Sequence, residues 1–227
     1  MNKKFIRIFA ICICLILSFS FIACNKTNEP TDIKEEVKSD VYYGRTQIIS
    51  DGTNYLVKDG KSDYKILLQN ETSSAEEYAA SEFNILLEKA CGVKLDIVHS
   101  ADLSINTKYI SLGNTVMAQE ADAVLKVNEL PRNGFKILSY KDGLIIVSMD
   151  NAGLLYGVYR FFEKNCNYMY YSPEEIKIDT SSSVSLKNYN FEDWPDFPER
   201  DVYNATTRLD PVATSRMFLT PSIYSKW

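Results

Sequence analysis

The 227-residue sequence holds a single histidine, His99, and five cysteines, three of which lie within the first 24 residues. A structural or catalytic zinc site gathers three or four nitrogen, sulfur or oxygen ligands. With His99, Cys91 and Cys166 the only soft ligands beyond residue 24, no metal or cofactor site is expected. His99 ends a short strand-like run and reads as a surface residue. Basic charge is also scarce, with 25 Lys and Arg against 30 Asp and Glu and a net charge of −5. Nucleic-acid binding rests on a basic patch or stripe, so no nucleic-acid partner is expected. Long apolar runs are missing too. The uncharged run from Ile8 to Ile22 stops short of the roughly 18 or more apolar residues that span a bilayer.

What that run offers instead is an export signal, because Lys3, Lys4 and Arg7 precede it. It closes on Phe21-Ile22-Ala23-Cys24, which resembles a bacterial lipobox. The resemblance implies a signal peptide over 1–23 and a mature chain that begins at Cys24. That cysteine would carry a diacylglycerol and an acylated amine, two signals that together hold a protein on a lipid bilayer. The competing reading makes Cys24 one more apolar residue of the signal. The expected location is therefore exported and lipid-anchored at the bacterial cell membrane or surface. Residues 24–43 are polar, contain Pro30, and read as a disordered tether. Removing residues 1–23 takes away three basic and no acidic residues, leaving 22 against 30 and a net charge of −8.

From residue 44 to 189 the chain reads as one domain of ordinary size. Tyr55-Leu56-Val57 and Tyr64 to Leu68 flank an Asp59-Gly60 turn and look like paired strands. Ser73 or Ser74 can cap a helix with Glu76 and Glu77 in its first turn. Ala79, Phe83, Leu86, Leu87 and Ala90 then share one face, and Gly92 is the stop. Strands are expected over Val93 to Val98 and Lys108 to Leu112, and a weaker helix over Val116 to Leu125. The hairpin of Gly134 to Tyr140 with Leu144 to Met149 turns at Lys141-Asp142-Gly143, where the Asp-Gly pair tolerates positive φ. Asp150 or Asn151 can cap a last helix in which Leu154, Leu155, Val158, Phe161 and Phe162 form an apolar stripe. Gly153 and Gly157, four apart, read as close packing of helix on sheet. The expected fold class is α+β, a two-layer sandwich of a mixed, mostly antiparallel sheet with the two main helices on one face. Cys91 and Cys166 each end one of those helices. They are either buried free thiols or, in an oxidising compartment, a disulfide.

Ser74 to Phe83, Leu86 to Leu95 and the segment Gly153-Leu154-Leu155-Tyr156-Gly157-Val158-Tyr159 after a hairpin resemble a known family. They look like the amino-terminal α/β domain that precedes the catalytic barrel in bacterial α-glucuronidases and chitobiase-type β-N-acetylhexosaminidases. The resemblance runs from about Tyr55 to Arg200. It implies that the glycosidase chemistry resides in a following (β/α)₈ barrel of about 200 residues or more. Only 27 residues follow Arg200. Residues 190–227 are accordingly expected to be a connector and the incomplete start of a barrel. Glu192 and Glu199 are the acids a catalytic pair would have to use, but acids in a Pro-rich connector are ordinarily solvated, and no catalytic residue is assigned. Phe191, Trp194 and Phe197 are expected to form an apolar strip covered by the barrel. Two functions remain open at this point: a non-catalytic accessory domain of a cell-surface glycoside hydrolase acting on carbohydrate polymers or oligosaccharides, present as a truncated chain, or a free-standing lipoprotein that binds carbohydrate or a protein partner.

Overall fold

A computed structural model describes residues 41–42, 44–104, 107–201 and 210–220. The signal segment, Cys24 and nearly all of the expected tether lie outside the described residues. The strands are β1 (Val41–Tyr42), β2 (Arg45–Val57), β3 (Tyr64–Leu68), β4 (Ile97–His99), β5 (Lys108–Leu112), β6 (Phe135–Tyr140), β7 (Gly143–Ser148), β8 (Met169–Tyr170), β9 (Ile176–Lys177) and β10 (Val184–Asp193). The helices are α1 (Ser74–Cys91), α2 (Val116–Glu120), α3 (Ala123–Val127), α4 (Asn151–Cys166) and α5 (Pro211–Arg216). Eight strands form one sheet in the order β1-β2-β10-β6-β7-β5-β3-β4, and β8 pairs separately with β9. The pairs from β1 through β7 are antiparallel, and those of β7 with β5, β5 with β3 and β3 with β4 are parallel. The chain is therefore α+β with a mixed sheet.

Both main helices form for local reasons that the sequence announces. Ser73 and Glu76 close a capping box on α1: the Ser73 N–H donates to Glu76 Oε2 at 2.8 Å and the Glu76 N–H to Ser73 Oγ at 3.3 Å. Gly92 ends α1 at φ 72°. Asp150 caps α4, its Oδ1 accepting from the Gly153 N–H at 2.7 Å, and Asn167 ends it at φ 49°. The two helices bury one face against the sheet and each other. Phe83 of α1 lies 5.3 Å from the Phe161 ring and 4.9 Å from Phe162, and all three are fully buried. Gly153 and Gly157 allow α4 this close: a Cβ on Gly157 would stand 2.5 Å from Ile146 Cγ2, and one on Gly153 would meet Ser148 Oγ and Gly134 O.

The opposite face of the central strands is also covered. Ile145 and Val147 point away from α4 and pack with Ala118, Ala123 and Val127 of α2 and α3. The single helix expected over Val116 to Leu125 is thus two short ones, broken where Asp122 adopts φ 53°. They add a partial third layer to the expected sandwich.

Several expectations need correction. The Asp59-Gly60 turn has both residues at positive φ, but only Lys58 and Lys61 bridge across it. β2 and β3 then diverge to separate places in the sheet. The strand expected over Val93 to Val98 is confined to Ile97–His99. In the β6–β7 hairpin the positive φ belongs to Lys141, at 52°. Gly143 is already in β7, where a Cβ would stand 2.5 Å from Tyr109 O. β10 runs to Asp193, so residues 190–193 lie inside the sheet and not in a connector. Its alternation is interrupted by register shifts beside Val184 and Leu186, and Gly52 of β2 accommodates the second, since a Cβ there would collide with Leu186 O.

Candidate functional site

The ends of β2 and β10 meet α4 at one margin of the sheet, and the 194–200 segment folds back over them. Between these parts lies a cleft of about 470 Å³. Its floor is an α4 face spaced by single turns, Tyr156, Arg160 and Lys164, flanked by Arg45 and Gln47 of β2. Trp194, Phe197, Arg200 and Phe218 close the sides.

Three arginines in this cleft each sit on a different ring. Arg45 lies 4.8 Å from the Trp194 ring, Arg160 5.1 Å from Phe218, and Arg200 5.4 Å from Tyr156. Each such stack contributes on the order of 0.5–2 kcal/mol, more when desolvated. Arg45 also pairs with Asp193 at 3.2 Å and Asp196 at 2.5 Å, and Arg160 with Glu163 at 2.5 Å and Asp193 at 3.2 Å. Arg200 donates instead to two carbonyls, Phe218 O at 2.7 Å and Phe197 O at 3.2 Å.

The expected apolar strip divides. Phe191 is 3% exposed and stacks on Phe135 inside the core, 6.2 Å between centroids. It is a core residue of β10 and is not available to a partner. Trp194 lies in the cleft wall, and Phe197 is 73% exposed.

The two acids weighed as a catalytic pair are held apart in separate interactions. Glu192 accepts from Lys136 Nζ at 3.1 Å and from the Thr46 N–H at 3.1 Å. Burial works to raise its pKa, but the Thr46 N–H and the Lys136 ammonium outweigh it and hold the carboxyl below its ordinary value. Glu199 makes an exposed pair with Arg132 at 2.9 Å. Neither side chain lines the cleft.

Sequence reasoning missed a buried polar cluster that fastens the 210–220 segment to both helices. Glu82 of α1 is 2% exposed and receives a two-pronged contact from Arg216, Nε at 2.9 Å and a terminal nitrogen at 3.0 Å. The Tyr159 hydroxyl donates to the same carboxylate at 3.0 Å and lies 3.2 Å from Ser215 Oγ. The Tyr156 hydroxyl donates to Leu219 O at 2.6 Å. Burial would lower the pKa of Arg216, yet the Glu82 contact raises it. The one signal for this cluster was Glu82 itself, an acid among the apolar positions of α1.

Cys91 and Cys166, weighed as a bridge, are free thiols. Cys91 is half-buried and donates to Leu87 O at 3.1 Å. Cys166 is 3% exposed, and burial, followed by the neighbouring Cys91 and Asp179, pushes its thiol up to about 12. His99 ends β4, partly exposed. Among the described residues, no group of three or more His, Cys, Asp and Glu is placed to hold a metal. No helix of the described residues is long and apolar enough to cross a membrane.

Residues 51–161, from the second half of β2 to within α4, match the glycosyl hydrolase family 67 N-terminus. The match covers just under half of the chain. No curated protein matches the chain. Among solved structures, a product-bound mutant β-hexosaminidase of Streptomyces plicatus is similar at 12% identity and a TM-score of 0.40. The GH20 β-N-acetylhexosaminidase of Streptomyces coelicolor is similar at 15% identity and a TM-score of 0.38. Each likeness covers 67% of this chain and 26% of the other, so the chain spans about a quarter of the length of these enzymes.

Proposed function

We propose that this chain is a non-catalytic N-terminal accessory domain of a cell-surface glycoside hydrolase acting on carbohydrate polymers or oligosaccharides. The match of residues 51–161 to the family 67 N-terminus carries the reading. In it, bond cleavage belongs to a barrel of the α-glucuronidase or β-N-acetylhexosaminidase type, joined after the connector, where two carboxylates can face each other across a glycosidic bond about 5 to 10 Å apart. The exposed ring of Phe197 is the contact offered to that barrel, with Trp194 behind it. At the other end, acylated Cys24 holds the domain on the bilayer.

Two measurements test this reading. The purified chain is expected to unfold cooperatively and to give no turnover of aryl glycosides of glucuronic acid or N-acetylglucosamine. Turnover that disappears in Glu192→Gln or Glu199→Gln would overturn the assignment. In cells, Cys24→Ala is expected to abolish incorporation of labelled fatty acid and partition with membranes, and label retained by the variant defeats the anchor.

A further inference from the structure

We propose that Cys91 and Cys166 are a cross-linking site: on oxidation they form a disulfide that ties the C-terminal end of α1 to that of α4. Each cysteine is the last residue of its helix, and one short segment reads both helix ends. The Asp179 N–H donates to Cys166 O at 2.8 Å, and the Ser181 N–H donates to Ala90 O at 2.9 Å. Amides two residues apart are separated by at most roughly 7 Å. The two helices therefore bring their cysteine ends together on the same face of the sheet. Cys166 belongs to the apolar core, and Cys91 packs against that core. Cys91 is also close enough to add to the rise of the Cys166 pKa, after burial. Such neighbours suit a bond that asks for Cα atoms within roughly 7 Å.

The two thiols differ in access, which sets the order of events. Cys91 is half-buried and borders an open pocket of about 390 Å³ with Lys89, Thr180 and Ser182, whereas Cys166 is sealed in the core. A small disulfide such as oxidised glutathione reaches Cys91 first. The Cys91 thiol gives up its hydrogen bond to Leu87 O as its proton leaves, and the thiolate attacks one glutathione sulfur. A Cys91–glutathione bond forms, and one glutathione thiol departs with a proton. The Cys166 sulfur, deprotonated in turn, attacks the Cys91 sulfur and releases the second glutathione as a thiol. The two protein thiols are oxidised to one disulfide, and the glutathione disulfide is reduced by the same electron pair. Burial slows the second attack, because only the thiolate reacts. The bond closes a loop of about 75 residues and so constrains the unfolded chain strongly. Its setting in cells, an oxidising compartment, rests on the export reading, and the chemistry itself does not.

The full chain in detergent micelles should be incubated with excess oxidised glutathione in the absence of denaturant, alkylated, and digested for mass spectrometry. A peptide pair joined through Cys91 and Cys166 is expected. The oxidised chain should also melt about 5 °C or more above the same chain treated with dithiothreitol. Cys166→Ala is expected to leave glutathione on Cys91 as a stable mixed disulfide. Because Cys166 is buried and its replacement can disturb the core, the half-buried Cys91→Ser serves as the second variant, with loss of both the joined peptides and the redox dependence of Tm. Two thiols that remain open to alkylation, or glutathione left on Cys91 of the unaltered chain, overturns the proposal. So does a bond from Cys91 to a second chain, a cross-link that fails to raise Tm, or a Cys91→Ser chain whose Tm still responds to dithiothreitol. Such a failure leaves the glycosidase and fatty-acid assays untouched, so the accessory-domain reading stands or falls separately.

Discussion

One helix, α4, is held on its two sides by different physics. Toward the sheet and α1 it presents Val158, Phe161 and Phe162, fully buried and fixed by shape, with no polar group involved. Toward the 194–220 end it presents Tyr156, Tyr159 and Arg160, whose contacts are hydrogen bonds, ion pairs and rings under guanidinium groups. The apolar side tolerates loss of volume poorly but is indifferent to salt and pH. The polar side is directional, so it can specify where a segment docks, and its strength depends on every partner staying in place.

The largest effect is expected where the apolar side is opened. Phe83→Ala removes the ring shared by Phe161 and Phe162 and should lower stability by about 3–5 kcal/mol, seen as a drop in Tm and in the denaturant midpoint. On the polar side, Arg216→Met leaves the Glu82 carboxylate buried without its cation, at a cost of about 3 kcal/mol. Here the loss should concentrate in residues 210–220, read as faster proteolysis of that segment before the domain unfolds. The double variant Glu82→Leu with Arg216→Met should recover much of it; no recovery would mean the pair does more than compensate charge.

Gly157→Ala adds a methyl group against Ile146 and should cost about 1–3 kcal/mol, measured by chemical unfolding. The smallest effect concerns pH. Glu192 has a folded pKa below its unfolded value, so its contribution is complete above the ordinary Glu value of about 4.3 and is lost as pH falls through the folded value. Acid titration of stability should show a shallower low-pH limb in Glu192→Gln, whereas the apolar side of α4 contributes no such slope.

Legibility in the sequence followed the range of the interaction. Ser73, Glu76 and Gly92 act within one turn of α1, and Asp150 and Gly153 within one turn of α4, so both helices and their buried faces could be read directly. The β6–β7 hairpin was readable, although the strained position fell to Lys141 because Gly143 was needed for the approach of Tyr109 O. β10 escaped notice because its register shifts break the period of two that marks a strand. With it went the burial of Phe191, which shares a sequence neighbourhood with Trp194 and Phe197 but none of their surroundings. The clasp of Arg216 on Glu82 joins residues far apart in the chain, and no local pattern reports such a pair. The cleft was half visible: its aromatics stood out, while Arg45, Arg160 and Arg200 come from three separate segments.

The place of β10 in the sheet has a consequence for the order of folding. This last strand of the sheet in chain order inserts between β2 and β6, with Val184 opposite Val57 and Asp193 opposite Phe135. As the polypeptide emerges from its amino end, the long β2 has, among the described strands, only the two-residue β1 to pair with until β10 has been made. A sheet closed by such a distant partner bears its loop-closure entropy before it gains the contacts. Synthesis through Asp193 is then the commitment point: a nascent chain stopped short of β10 should remain open to proteases, and one extended past it should become resistant in a single step.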